Sequence, residues 1–263
     1  MLPSSGSRYK QWQPLASQIS AQQQILAVGC NLFGVGKSTT PDWIPLDEAG
    51  YDLTDQVDAI VAVANEVDAR APVTLIGHSY GGAVAIKVAE RLATLSRKVD
   101  NVVLYEPNAL YMLPEEAEGA DQPITRIWKE FLHLAAAGNG PEIGRLVHTF
   151  WHGEGSWATL APEQQARISA VLLRGLPREL TMLVGEARPG ASASSTASLR
   201  AIDGEKHYLH GTVGTAPLIL RLAALLAEEA GFTTHAMAGV DHMGPITAPA
   251  TVSQAIARCA RLS

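Results

Sequence analysis

Cysteine is scarce in this chain, with only Cys30 and Cys259 among 263 residues. Two cysteines make no disulfide framework, and neither sits in a Cys-x-x-Cys pair or a Cys/His run of metal-ligand spacing. Both read as inert buried thiols, because a free cysteine packs as a small hydrophobe. Positive charge is also sparse: 20 Lys and Arg stand against 26 Asp and Glu, for a formal charge of -6 and no basic run. That balance argues against a surface that tracks nucleic-acid phosphates and favours a small, uncharged or mildly polar ligand. No charge-free apolar stretch approaches the roughly 18 residues of a membrane span. The opening residues Met1-Leu-Pro-Ser-Ser-Gly-Ser-Arg8 lack the basic, apolar and small-residue regions of a secretory signal. A soluble, cytoplasmic protein is expected.

What is abundant is core. Hydrophobic residues make up 47% of the chain and charged ones 17%, enough to offset the ordering entropy of one large body with an insertion. Short apolar runs alternate with helix-period segments, the pattern of a mostly parallel sheet covered by helices on both faces. The spacing predicts helices over Tyr9–Gln22, Asp52–Ala69 and Gly81–Leu95, and strands over Gln24–Val28, Pro72–Ile76 and Asn101–Tyr105. From about residue 107 to 205 the alternation stops. Helical stretches at Pro123–Ala137, Glu142–Trp151 and Pro162–Arg174 predict a lid inserted in a core of residues 1–106 and 206–263. Gly190–Ser198, rich in Ser, Ala and Gly, reads as a flexible loop. Strands His207–His210 and Thr233–Ala238 then alternate with helices Ala216–Ala230 and Ala248–Arg261.

The chemistry centres on Val73-Thr-Leu-Ile-Gly77-His78-Ser79-Tyr80-Gly81-Gly82: an apolar strand, then G-x-S-x-G, then a helix. A serine on that sharp turn is pushed out of the sheet, and the flanking glycines let strand and helix approach closely. The helix aims its N-terminal amides and positive dipole end at the serine, which favours an oxyanion developing there.

With this motif the chain resembles the α/β-hydrolase superfamily over nearly its whole length. Three further blocks agree in order. Leu2-Pro-Ser-Ser-Gly-Ser…Gln11-Trp12 is similar to the family's loop after its third strand, and Asn31-Leu-Phe-Gly34-Val-Gly36-Lys-Ser38 to its D-x-x-G-x-G-x-S turn. Ala238-Gly-Val-Asp-His242-Met-Gly-Pro is similar to its histidine loop. The resemblance places the family's first strands before Met1, so they are expected to be missing from the sheet, and a shortened edge is compatible with a homo-oligomer.

The resemblance implies a serine hydrolase acting on a small ester, thioester or lactone through an acyl-enzyme, with no cofactor and no metal. Ser79 would be the nucleophile and His242 its base, since the family order is serine, acid, histidine. His235 falls inside a predicted strand. Many members carry the acid after the strand that here ends at His210, but Gly211-Thr-Val-Gly-Thr215 has no carboxylate. A second family location is the end of the strand following the elbow helix, which points to Glu106; Asp241 is too close to His242 in the chain to reach the right ring nitrogen. The oxyanion hole would combine the amides of Tyr80 and Ser5, although the usual His-Gly-x reads Pro3-Ser4-Ser5 here. His78, Met112, Trp128, Trp151 and Met243 are candidates for a substrate pocket. Trp151 and Trp157 read more readily as lid core, and His78 and His210 as hydrogen-bonded structural histidines. C–C bond hydrolysis, cofactor-free haloperoxidase chemistry and a non-catalytic ligand receptor stay open. The run Gly34–Thr39 lacks the first glycine of a phosphate loop, because position 31 is Asn, and nucleotide binding is not expected.

Overall fold

The computed structural model describes residues 1–20, 25–36, 38, 53–114, 123–187 and 195–262. In chain order these form α1 (Gln13–Ser20), α2 (Thr54–Asp68), β1 (Val73–His78), α3 (Tyr80–Thr94), β2 (Val99–Tyr105), α4 (Pro123–Ala136), α5 (Gly140–His152), α6 (Pro162–Glu186), α7 (Thr196–Arg200), β3 (Glu205–Gly211), α8 (Pro217–Ala230), β4 (Thr233–Met237), α9 (Gly244–Thr247) and α10 (Pro249–Cys259). The described strands make one parallel sheet in the order β1-β2-β3-β4.

Side chains alternate across the sheet with the two-residue period of a pleated strand. Leu75, Val102, Leu104 and Tyr208 join one core with α2, α3, α8 and the helices between β2 and β3. Ile76, Val103, Tyr105 and Leu209 join the other, beneath Trp12, Leu15 and Ile19 from the N-terminal helices and Val252 and Ile256 from α10. Both faces are therefore covered, as a parallel sheet requires. Every residue of α3 from Tyr80 to Ala89 is buried, so the helix after β1 is locked against the sheet that feeds it.

The predicted strand at Gln24–Val28 is not one: residues 25–30 carry no strand structure, and Gln24 lies outside the described residues. Their backbone finds too few partners for a ladder. The Met1 amino group donates to Val28 O at 2.8 Å and Cys30 N to Met1 O at 3.1 Å, while Leu26 is 72% exposed. Beside β1 the chain's first residues add a single parallel bridge between Leu2 and Gly77. The helix predicted at Tyr9–Gln22 divides into a 3-10 turn (Tyr9–Trp12) and α1; residues 21 and 22 are outside the described set.

Between β2 and β3 lie α4 to α7. α6 continues to Glu186, well past the predicted end at Arg174. Gly175 and Pro177 favour a stop, but Leu176, Leu180, Leu183 and Val184 are buried, and their packing outweighs the missing proline N–H. The predicted loop Gly190–Ser198 overlaps α7, whose Ser195 side chain accepts from Ser198 N at 3.0 Å; residues 188–194 lie outside the described set. Cys30 and Cys259 are half-buried rather than enclosed. No helix among the described residues is long and apolar enough to cross a membrane.

α6 is tied to the elbow helix through charge. Glu186, 1% exposed, pairs with Lys87 of α3 at 2.8 Å and accepts from Leu53 N at 2.8 Å. Removing the cation takes a counter-charge away from a buried carboxylate. Lys87→Met is expected to cost about 3 kcal/mol in urea unfolding; a loss under about 1 kcal/mol would show the pair to be solvent-screened.

Candidate active site

The turn after β1 carries a strained backbone. Ser79 adopts φ 54 and ψ -122, a region that a non-glycine residue enters only when its surroundings hold it there. They do. Ser79 N donates to Tyr105 O at 3.1 Å, and Ser79 O accepts from Gly82 N at 2.8 Å and Asn108 N at 2.9 Å. The glycines make room: a Cβ on Gly77 would stand 2.5 Å from Gly81 O, and one on Gly81 would overlap the Pro3 carbonyl. The second of these brings the N-terminal loop directly over the start of α3.

Glu106 leaves β2 with φ 40, also left-handed, and is fully buried. Its Oε1 accepts from Gly211 N at 2.7 Å and from Thr215 Oγ1 at 3.2 Å; its Oε2 lies 2.8 Å from His242 Nδ1. The segment that lacks a carboxylate thus holds the carboxylate supplied by β2. Burial raises the Glu106 pKa, and the bonds from Gly211 and Thr215 oppose that rise by solvating the anion. Burial, reinforced by nearby His152, holds His242 well below the ordinary histidine value, so its imidazole rests neutral.

His242 is held on several sides. Its backbone carbonyl faces His78 Nε2 at 2.9 Å, and the other nitrogen of His78 meets Gln11 Nε2 at 2.9 Å, which fixes His78 as a donor to the His242 loop. Tyr105 Oη donates to Asp241 O at 2.6 Å. Trp151 of α5 lies flat on the imidazole, with ring centroids 3.5 Å apart and planes at 14°. Ser79 and His242 are 4% and 3% exposed, and no hydrogen bond joins Ser79 Oγ to His242. Neither the groove of about 850 Å³ beside the start of β1 nor the cavity of about 680 Å³ behind Thr215 has Ser79 in its wall.

The other expected residues fall as follows. Tyr80 opens α3, where the first amide has no intrahelical acceptor, and its hydroxyl is turned away to Met182 Sδ at 3.7 Å. Ser5 lies in the N-terminal loop, and its hydroxyl bonds Glu179 of α6. His78 is fully buried with both ring nitrogens used, so it buttresses the His242 loop and is not pocket wall. Met112 and Trp128 are partly buried against the core, with Trp128 Nε1 donating to Thr181 Oγ1 at 3.3 Å; Met243 is half-buried beside His242. Gln11, Thr215 and Glu179 were not foreseen. Gln11 stands inside the matched N-terminal block, so its position was visible but its bond to His78 was not. Glu179 lies beyond the predicted end of its helix, and burial pushes its carboxyl up to about 7.

The chain belongs to the alpha/beta hydrolase family, whose model matches residues 2–255. Its class is that of an α/β-type hydrolase. Among solved structures it is similar to a bromoperoxidase from Bacillus anthracis, at 15% identity and a TM-score of 0.68, covering 99% of this chain and 90% of that one. An esterase from Exiguobacterium antarcticum has 16% identity and a TM-score of 0.66, with 99% and 91% covered. The enol-lactonase from Burkholderia xenovorans LB400 has 17% identity and a TM-score of 0.65, with 98% and 89% covered. No curated protein sequence matches the chain.

Gly81→Ala tests the close approach of Pro3 to α3. It is expected to cost roughly 2 kcal/mol and lower Tm by about 4–8 °C, because backbone rather than a flexible side chain must shift. An unchanged Tm would mean that the loop yields freely.

Proposed function

We propose that the protein is a serine hydrolase of small esters, thioesters or lactones, working through an acyl-enzyme on a Ser79–His242–Glu106 triad. The observation that carries the reading is the 2.8 Å contact between His242 Nδ1 and Glu106 Oε2, beside a serine held at positive φ. A carboxylate at Nδ1 keeps the proton there and leaves Nε2 with a free lone pair, the tautomer a general base needs. Nε2 takes the Ser79 proton as Oγ bonds to the carbonyl carbon. The resulting oxyanion is met by the amides of Tyr80 and Ser5. The imidazolium then passes that proton to the departing alcohol or thiol, and water, activated by the same base, releases the acid and restores Ser79. The steps draw on no cofactor, the substrate is a small molecule, and action in the cytoplasm fits the composition.

The names of two similar structures, an esterase and an enol-lactonase, support acyl-type chemistry without selecting a substrate, and that of a third, a bromoperoxidase, keeps the haloperoxidase alternative open. One observation favours a second reading: Trp151 on the imidazole and the lack of a Ser79–His242 hydrogen bond fit a receptor that binds a ligand without turnover.

A fluorophosphonate probe separates the two. The hydrolase reading expects stoichiometric labelling of wild type and none of Ser79→Ala, with Glu106→Gln slowing p-nitrophenyl ester turnover by about 10³–10⁴ through the wrong tautomer. Absence of Ser79-dependent labelling, together with ligand-raised Tm, supports the receptor. The pH profile gives an independent check. Because burial lowers the His242 pKa and only the neutral ring accepts a proton, the acid limb of kcat/KM is expected below pH 6.5; a midpoint above 6.5 contradicts it.

A further inference from the structure

Three side chains with metal-binding atoms meet on the sheet well away from Ser79. His207 on β3 and His235 on β4 share a face, because His235 pairs with Leu209, two residues beyond His207. That face is covered by α10, which ends at Cys259. His207 Nδ1 and Cys259 Sγ lie 3.2 Å and 3.5 Å from His235 Nε2, and the three donor atoms all fall within 4.8 Å of one another.

These lengths match a zinc site. Zinc–nitrogen bonds of about 2.0–2.1 Å and a zinc–sulfur bond of about 2.3 Å, set at tetrahedral angles, put neighbouring nitrogens about 3.3 Å apart and nitrogen and sulfur about 3.6 Å apart. Two edges of such a tetrahedron are already formed. A plain hydrogen-bonded trio fits the same edges, and what adds weight to a metal is the carboxylate standing behind His207. Ligation at Nδ1 fixes the proton on Nε2, which faces Glu205 Oε2 at 3.5 Å; Glu205 is anchored in turn by Arg261 at 2.6 Å. A carboxylate behind a ligating histidine is the usual outer shell of a zinc site.

We propose that His207, His235 and Cys259 bind one zinc-class divalent cation, with a solvent molecule as fourth ligand. Imidazole and thiolate together suit zinc rather than magnesium or calcium, which prefer oxygen. A neutral imidazole offers one ring lone pair to a cation while its other nitrogen keeps the proton. The incoming cation displaces the Cys259 thiol proton to form the sulfur bond. The ion fastens the last turn of α10 to β3 and β4. It lies about 13 Å along β3 from Gly211, by the rise of a strand, and takes no part in the Ser79 chemistry. The sequence concealed it because the ligands are 28 and 24 residues apart, with no short motif among them.

Cobalt(II) titration of the full-length protein provides the test. About one equivalent is expected to bind with thiolate-to-cobalt charge-transfer absorption and tetrahedral d–d bands, unchanged in Ser79→Ala and lost in Cys259→Ser. Zinc at 100-fold over its Kd should raise Tm by roughly 5–10 °C where magnesium does not. Wild type alone supplies a readout that needs no variant: zinc should slow iodoacetamide alkylation of Cys259 at least about tenfold while leaving Cys30 unchanged. The proposal is overturned if the charge-transfer band is absent, if it survives Cys259→Ser, or if zinc leaves Cys259 alkylation unaltered.

Discussion

The buried carboxylate of Glu106 joins three segments that the sequence keeps far apart. One oxygen holds the turn after β3 through Gly211 N and Thr215 Oγ1; the other meets His242, 136 residues further along the chain. An ionised carboxylate in such a place is costly unless every lone pair is engaged, and here backbone, hydroxyl and imidazole donors share the task. The left-handed φ of 40 at Glu106 turns the side chain off the strand axis toward those donors. Strain at Glu106 and Ser79, at the ends of adjacent strands, places both groups on the same edge of the sheet, where parallel α/β folds gather their ligands.

A second layer holds this arrangement still. Gln11 and His78 form a relay from the N-terminal loop to the His242 carbonyl, so the loop that offers Ser5 and the loop that offers the imidazole are set by one histidine. α6 reaches the same place from outside through Glu179 on Ser5 and Glu186 on Lys87. The helices between β2 and β3 are thereby linked to both sides of the elbow, and Trp151 lies over the imidazole. In the proposed hydrolysis such enclosure would keep water from Ser79 and His242, and a substrate would need the helices between β2 and β3 to yield.

Much of the core was legible in the sequence because its signals are local. The run Val73–Gly82 encodes strand, bend and helix in one stretch, and apolar periodicity places α2, α3, α8 and α10 within a few residues of their ends. Glu106 could be proposed from the family resemblance, which offers the end of the strand after the elbow helix where the segment after His210 holds no carboxylate. What stayed hidden depends on tertiary partners. Gln24–Val28 has strand composition but too few backbone partners, and α6 crosses Gly175 and Pro177 because four buried apolar side chains outweigh two helix breakers. His78 was read both as structural and as pocket wall; only its partners at both ring nitrogens decide in favour of the former.

The central claim is spatial: one imidazole is shared between Glu106 and Ser79. A crystal structure of the fluorophosphonate adduct measures it directly. The account predicts phosphorus on Ser79 Oγ, one phosphoryl oxygen about 3 Å from the amides of Tyr80 and Ser5, and His242 Nε2 turned to the adduct with Nδ1 still on Glu106. Phosphorus on another residue, or a His242 ring that has left Glu106 and faces away from Ser79, would contradict it.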